Sequence, residues 1–165
     1  MSHPNIPQLQ QELMTEMGNL DANLRQSVVR ENEALTARYI LCSAIDEAVM
    51  DTPWGVDSGW GQRSLLQAYH KDRNGGERFF VLLEQLMARP LEHRDLLELF
   101  YVLLCMGFEG KYQLDSAGNS RLDSIRERLH QDIYGGSPYE RSLSDSARIT
   151  SGARPSLRTR IPLWI

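Results

Sequence analysis

Two adjacent carboxylates, Asp46 and Glu47, stand inside the otherwise apolar helical stretch LCSAIDEAVMDTPWG at residues 41–55. An ionised carboxylate is costly to bury unless it is hydrogen-bonded or paired, so both must be satisfied internally, exposed to solvent or used for chemistry. If the fold brought His70 next to them, the three side chains would form an acid–base site. The sequence around His70 offers no local support for this catalytic interpretation.

Asp46 and Glu47 also allow two interpretations without catalysis. Neighbouring residues on a helix point about 100° apart, so the two carboxylates cannot face the same way. In the first interpretation, one faces the core and accepts hydrogen bonds from a helix N-terminus or an arginine, while the other is exposed. In the second, the pair forms an acidic spot at the floor of a groove that receives a basic partner. Trp54 and Trp60, in the turn TPWGVDSGWG, either pack this turn against the helices or belong to an interface.

Other signatures of catalysis or metal binding are missing from the sequence. The patterns G-x-S-x-G, H-E-x-x-H and C-x-x-C do not occur. The segment GFEGKY resembles a phosphate loop, but its spacing is too short and no Ser or Thr follows the lysine. The histidines are far apart and lack metal-ligand spacing: His3, His70, His93 and His130. The sequence therefore predicts no enzyme activity, no cofactor and no metal.

Helical periodicity from residue 8 to residue 134, without an alternating strand pattern, predicts an all-α fold of about seven to eight helices. The predicted helices cover about 8–17, 20–30, 32–51, 62–71, 77–88, 91–106 and 120–134. The third should bury a stripe of Leu35, Tyr39, Cys42, Ile45 and Val49. The sixth, with LLELFYVLLCMGF, is apolar almost all round, which is typical of a central helix. Gly107 is expected to end it.

The charge of the chain is unevenly distributed. Residues 1–134 carry 13 Lys and Arg against 20 Asp and Glu, and residues 135–165 carry 5 Arg against 2 acids, so −7 and +3 give the net −4. An acidic body argues against nucleic acid as a partner, because that binding requires neutralised phosphates. Cys42 and Cys105 lie in apolar runs and are predicted to be buried thiols in a reducing compartment. The N-terminus has no secretory signal, which favours a cytoplasmic domain.

Two parts of the chain differ in composition. Residues 1–134 are predicted to be the folded helical domain, and residues 135–165 an Arg-, Ser- and Gly-rich linker. The sequence closes on IPLWI, which is too short to cross a bilayer, since a membrane helix needs ~20 apolar residues. Arginines before an apolar segment with tryptophan are typical of the cytoplasmic flank of a membrane helix. A disordered tail with a chance apolar end is the alternative.

Three segments carry a family resemblance: ARYILCSAIDEAVMDTPWG at 37–55, LLQAYHKDRNGGERFF at 65–80 and DLLELFYVLLCMGFEGKY at 95–112. Together and in this order they resemble the cytoplasmic domain of the DotU/IcmH family, called TssL in type VI secretion systems. The resemblance covers about residues 35–134. Its most specific parts are GFEGKY and the segment from Asp46 and Glu47 to the Trp-Gly pair.

This resemblance implies a hook-like domain of two small helical bundles. It implies a structural protein of the bacterial inner membrane, with this domain in the cytoplasm and a single C-terminal membrane helix that is absent from this chain. Its partners would be TssM and TssJ in the membrane complex, and TssK and also TssE in the baseplate. A weak homodimer is a further expected association. The resemblance also implies a groove lined partly by acidic residues. In this sequence only Asp46 and Glu47 are assigned to that groove.

Two other assignments stay open on the sequence. One is a DotU/IcmH-type stabiliser of a type IVb secretion system. The other is a soluble helical adaptor with no membrane attachment. An apolar run of ~20 residues after Ile165 in the full-length gene would favour the membrane anchor over the adaptor.

Overall fold

The computed structural model describes residues 4–135, and within them every regular element is helical. Six α-helices occur in chain order: α1 Ile6–Gln26, α2 Glu31–Met50, α3 Leu65–His70, α4 Gly75–Met87, α5 Arg94–Met106 and α6 Gly118–Tyr134. Two short 3₁₀ helices, Trp60–Gln62 and Gly110–Tyr112, lie between them. The predicted all-α fold is confirmed. None of the helices described has both the length and the apolar character to cross a membrane.

Residues up to Ile133 form one compact unit. The predicted linker, apart from its first residue, lies outside the described residues, and so do the arginines before IPLWI.

Helix α1 corrects the prediction of two separate helices at its place. It runs unbroken from Ile6 to Gln26, through Gly18. A glycine inside a helix costs only about 1 kcal/mol relative to alanine, and packing along one face can offset it. The Asn5 side chain caps the start by accepting the backbone N–H of Gln8 at 3.3 Å.

Helix α2 lies at the centre of the fold and packs against α1, α3, α4 and α5. It begins at Glu31 rather than with the predicted Asn32 cap, and two glutamates in its first turn interact favourably with the helix dipole. The predicted stripe is correct at Tyr39, Cys42 and Val49, which are buried. Leu35 was wrongly assigned to the core, since it is 44% exposed and Ile40 is fully buried instead.

Four phenylalanines form the aromatic core: Phe79 and Phe80 on α4, Phe100 on α5 and Phe108 just after α5. The ring of Phe79 is fully buried, and its centroid lies 4.7 Å from that of Phe100 and 4.2 Å from that of Phe108. Such ring pairs contribute about 0.5–1.5 kcal/mol each beyond the burial of their area. The aromatic core therefore fixes α4 and α5 firmly against each other.

Helix α5 is buried on one face only, which corrects the prediction of a fully central helix. Leu97 and Phe100 are inaccessible, whereas Val102 is 49% and Met106 78% exposed. Cys105 lies on this outer face, so the predicted buried thiol is wrong there and correct at Cys42. Apolar composition cannot tell which side of a helix has neighbours. Gly107 ends the helix as predicted, in a left-handed conformation with φ of 113°.

Candidate functional site

The acidic pair at positions 46 and 47 lies near the C-terminal end of α2, and both residues are half-buried. Because neighbouring helical positions diverge by about 100°, the two side chains reach different segments of the chain. Asp46 contacts the start of α3, and Glu47 contacts the loop after α5. The two adjacent residues thus tie two segments to one helix.

Asp46 accepts hydrogen bonds from three N–H groups, and the Ser64 hydroxyl is a further donor to it. Its Oδ1 accepts the indole N–H of Trp60 at 2.9 Å and the backbone N–H of Leu65 at 2.8 Å, and its Oδ2 accepts the backbone N–H of Leu66 at 2.9 Å. Leu65 and Leu66 are the first residues of α3, whose N–H groups have no partner within the helix. Ser64, the residue directly before α3, caps this helix by accepting the backbone N–H of Gln67 at 3.1 Å. Asp46 therefore fixes the start of α3 on α2.

Burial raises the pKa of the Asp46 carboxyl, and hydrogen bonds from the N–H groups of Leu66, Leu65 and Trp60 and from the Ser64 hydroxyl oppose this shift. The cost of removing the carboxylate from water is the larger effect. Asp46 thus matches the first interpretation, in which one carboxylate faces the core and accepts hydrogen bonds from a helix N-terminus.

Glu47 makes the equivalent contact with the loop after α5. Its Oε1 accepts the backbone N–H of Glu109 at 2.7 Å, and its Oε2 accepts that of Gly110 at 2.8 Å. Glu47 is therefore not the exposed member that the first interpretation expected, since both oxygens are engaged by backbone. The sequence analysis did not identify Glu109 and Gly110 as partners of Glu47. The available signal was Gly110, the second glycine of GFEG.

Gly110 is required by the shape of this loop. Its φ of +52° lies in the left-handed region, and a Cβ there would stand 2.6 Å from the carbonyl oxygen of Gly76. The loop therefore lies directly against the first turn of α4, while Glu47 holds it from α2. The GFEG segment is positioned from two sides.

Burial is also the main reason that the pKa of Glu47 is raised, against the hydrogen bonds from Glu109 and Gly110. The carboxylates of Asp51 and Glu109 raise it further. This places negative charges around the end of α2. Asp51 additionally accepts the side-chain N–H of Gln113 at 2.8 Å, which links the last turn of α2 to the same loop region.

The two tryptophans differ in their surroundings. Trp60 is fully buried, and its indole N–H is bonded to Asp46, so this residue packs the turn against the helices. Trp54 is half-buried. A role of either residue in an interface stays a prediction.

His70 is not brought together with the acidic pair. It stands at the end of α3, roughly 7.5 Å along the helix axis from Leu65, where Asp46 is bound. Its contacts are the Nε–H of Arg38, 3.4 Å from its Nε2, and the ring of Tyr39, with centroids 5.0 Å apart. The arrangement does not match the acid–base site that was considered from the sequence.

A groove among the described residues lies elsewhere on the domain. It has a volume of about 320 Å³ and is lined by residues that include Leu24, Val29, Arg30, Leu91 and His93. Neither Asp46 nor Glu47 lines it. In the described part of the chain, no group of three or more His, Cys, Asp or Glu could hold a metal ion.

The chain is thus an all-helical domain whose acidic pair is engaged by groups of its own fold, and comparison with known proteins specifies its family. The family described as type VI secretion system protein DotU matches residues 1–165. The chain belongs to this family, and it is a component of the type VI secretion system.

Two solved structures are similar to the chain. TssL from Vibrio cholerae is 33% identical, with a TM-score of 0.78 over 81% of this chain and 87% of that one. The cytoplasmic domain of TssL from Acinetobacter baumannii is 21% identical, with a TM-score of 0.69 over 79% of this chain and 85% of that one, and at this identity it supports the fold alone. None of the curated protein sequences matches the chain significantly.

Proposed function

We propose that this chain is the cytoplasmic domain of an inner-membrane subunit, and that it acts without catalysis as a docking platform between the membrane complex and the baseplate. The membrane complex would include TssM and TssJ, and the baseplate partners would be TssK and TssE. Support comes from the family, from the TssL structures and from the acidic pair. The observation that carries the proposal is that Asp46 and Glu47 hold two separate segments at one end of α2.

The docking surface, as proposed, consists of Met50, Asp51, Glu109 and Leu114. Contacts of Glu47 with residue 109 and of Asp51 with Gln113 keep these residues in one region. Met50 is 36% and Leu114 97% exposed, so apolar side chains stand beside the carboxylates. A partner segment with basic and apolar residues would complement this mixture, since opposite potentials set register and association rate.

Asp46 and Glu47 were predicted to contact a basic partner directly, and this role stays a proposal. Their oxygens are engaged by the chain's own N–H groups, so their effect on a partner has two routes. They contribute negative charge near the docking surface, and they position the loop that carries Glu109. A charge-removing variant separates these routes when binding and stability are measured together.

The experiment measures binding of the 165-residue chain to TssK and to the TssM cytoplasmic region from the same organism. Asp51→Lys reverses one charge on the docking surface, and Glu31→Lys makes the same change about 30 Å away at the other end of α2. We expect Asp51→Lys to weaken binding at least several-fold, more strongly at low salt, and Glu31→Lys to leave it unchanged. Equal effects of both variants, or none, would exclude this surface.

The double variant Asp46→Asn with Glu47→Gln tests the acidic pair itself. Lost binding with an unchanged melting temperature would indicate direct charge contact. Binding that falls in step with the melting temperature would indicate that the pair positions the loop. Intact binding would remove the pair from the docking function.

Attachment to the membrane is tested with the full-length gene product. Fractionation of bacteria that express it should place it in the inner membrane, and ~20 apolar residues encoded after Ile165 would supply the anchor. A protein found only in the soluble fraction would favour the adaptor. Ultracentrifugation of the 165-residue chain tests the expected weak homodimer.

A further inference from the structure

Helix α1 is attached to the fold through a stripe of half-buried leucines and through polar contacts. Met17 is the single buried residue among its 21. Three hydrogen bonds fasten it at intervals along its length. These are Gln10 Nε2–H to the carbonyl of Arg63 at 2.7 Å, Tyr69 O–H to the carbonyl of Met14 at 3.0 Å, and Arg38 Nη1–H to Asp21 Oδ2 at 2.7 Å. These three contacts add to the half-buried apolar stripe in fixing the position of the helix.

The ion pair between Arg38 and Asp21 is the most sheltered of these three contacts. The side chains of Arg38 and Asp21 are 16% and 21% exposed, so their attraction is less screened than that of a surface pair. Arg38 also lies over the ring of Tyr69, 5.2 Å from its centroid. The guanidinium is thus held between α1, which carries Asp21, and α3, which carries Tyr69.

His70 on α3 supplies a further contact to the same guanidinium. Its Nε2 accepts the Nε–H of Arg38 at 3.4 Å. An accepting ring nitrogen carries no proton, so this contact requires a neutral imidazole. A protonated ring would place a second cation and a second donor against Arg38, and the contact would become repulsive.

We propose that His70 is a pH-sensitive latch for α1: its neutral ring steadies Arg38 on Asp21, and its protonation releases Arg38 and loosens the helix. This inference goes beyond the docking function and does not depend on it. The latch joins α2, α3 and α1 at a single guanidinium, so one proton changes how three helices meet. The consequence is an α1 that is fastened at neutral pH and opens on acidification.

Charged groups face His70 from each element packed around it. Burial is the main reason that the pKa of His70 is lowered, and Arg38 from α2 and Arg78 from α4 act in the same direction. Asp21 from α1 and Asp72 from the following loop oppose them. The aromatic neighbours are Tyr39 from α2, whose ring centroid lies 5.0 Å from that of His70, and Tyr69 on α3 itself.

The lowered pKa gives the sign of the effect. The neutral ring is the form that the closed state favours, so the contribution of His70 is fully present above the ordinary histidine pKa of 6.5. That contribution is lost as the pH falls from there through the lower pKa of the closed state. Three states are relevant: a neutral His70 ring with α1 closed, a protonated ring with α1 open, and a protonated ring with α1 still closed. In the last state, His70 and Arg38 repel each other.

Hydrogen exchange of the 165-residue chain tests the latch at about pH 7.5 and about pH 5.5, on either side of the ordinary histidine pKa, with correction for intrinsic exchange. We expect the protection of α1 to fall several-fold at the lower pH, while α4 and α5 keep theirs. His70→Gln retains an acceptor without titrating, so its α1 should be equally protected at both pH values. His93→Gln is the matched control, because the hydrogen-bond partner of His93 is Glu33 and not Arg38, and it should keep the wild-type response.

Asp21→Asn calibrates the readout, since removing the ion pair should loosen α1 at both pH values. Unchanged or increased protection of wild-type α1 on acidification would overturn the proposal. So would a His70→Gln variant that keeps the full pH response. The wild-type chain offers an independent check by NMR: the ring of His70 must titrate with the same midpoint as α1 opening, and agreement with His93 or His130 instead would overturn the latch.

Discussion

Helices α1 and α5 are attached to the same domain in opposite ways. Helix α1 buries one residue among 21, whereas α5 buries five among 13. Helix α5 shares the aromatic core through Phe100, while α1 is held by half-buried leucines, hydrogen bonds and an ion pair. The longer helix is therefore the more weakly anchored, because burial stabilises at about 25 cal/mol per Å² of apolar area, whatever the length of the helix.

This difference predicts that different helices of the domain open at different free-energy costs. Segments with few buried apolar contacts open at low free-energy cost, and segments in the core open only when the whole domain unfolds. We expect α4 and α5 to carry the global stability and α1 to respond to local conditions. The acidic pair lies with the rigid part, because Glu47 binds the loop that packs on α4.

The largest effect should come from breaking the aromatic core. Phe79→Ala removes a fully buried ring that contacts Phe80, Phe100 and Phe108. The free energy of unfolding should fall by about 3–5 kcal/mol, the usual range for a buried phenylalanine. Urea denaturation followed by circular dichroism measures it. A loss under about 1 kcal/mol would show that the core tolerates a cavity and would weaken the contrast with α1.

A smaller loss should follow from Gly110→Ala, at the edge of the aromatic core. The left-handed backbone costs an alanine about 1–2 kcal/mol, and its Cβ would crowd the carbonyl of Gly76. The same variant should weaken binding at the docking surface, since Glu47 holds this residue. Gly61→Ala is a control without such contacts, because nothing lies within 4 Å of its Cβ position and its φ is not left-handed. Similar losses in both variants would contradict the argument.

The acidic pair adds a pH dependence to the rigid part. Burial raises the pKa of Glu47, so its ionised form is the one that the folded state disfavours. The stability of the wild type relative to Glu47→Gln should therefore be greatest at about pH 4.5 and decline toward about pH 7.5, as the carboxyl ionises. Urea titrations at both pH values measure the difference. Glu31→Gln serves as an exposed control, and a wild-type advantage that grows with pH would reverse the conclusion.

The smallest effect should come from one contact of α1. Gln10→Ala removes the hydrogen bond to the carbonyl of Arg63 and should cost about 0.5–1.5 kcal/mol of local stability. Hydrogen exchange should show the loss in α1 and leave α5 unchanged. Gln11→Ala, on the exposed face of the same helix, is the matched control. Loss of protection throughout the domain would mean that α1 belongs to the cooperative core.

The sequence by itself determined the helical class, because apolar residues recur with helical spacing and no stretch alternates as a strand does. It also determined the end of α5 at Gly107, where a left-handed residue is needed. It singled out Asp46 and Glu47, since carboxylates in an apolar pattern require partners. Local chemistry suffices for each of these inferences.

Tertiary structure alone decided what those residues contact. Periodicity names the apolar face of a helix but not its neighbours, so Cys105 and Leu35 are exposed although their runs are apolar. The backbone N–H groups that Asp46 and Glu47 accept lie 19 to 63 residues away along the chain. Contacts over such separations depend on how the helices pack, and no local spacing in the sequence encodes them.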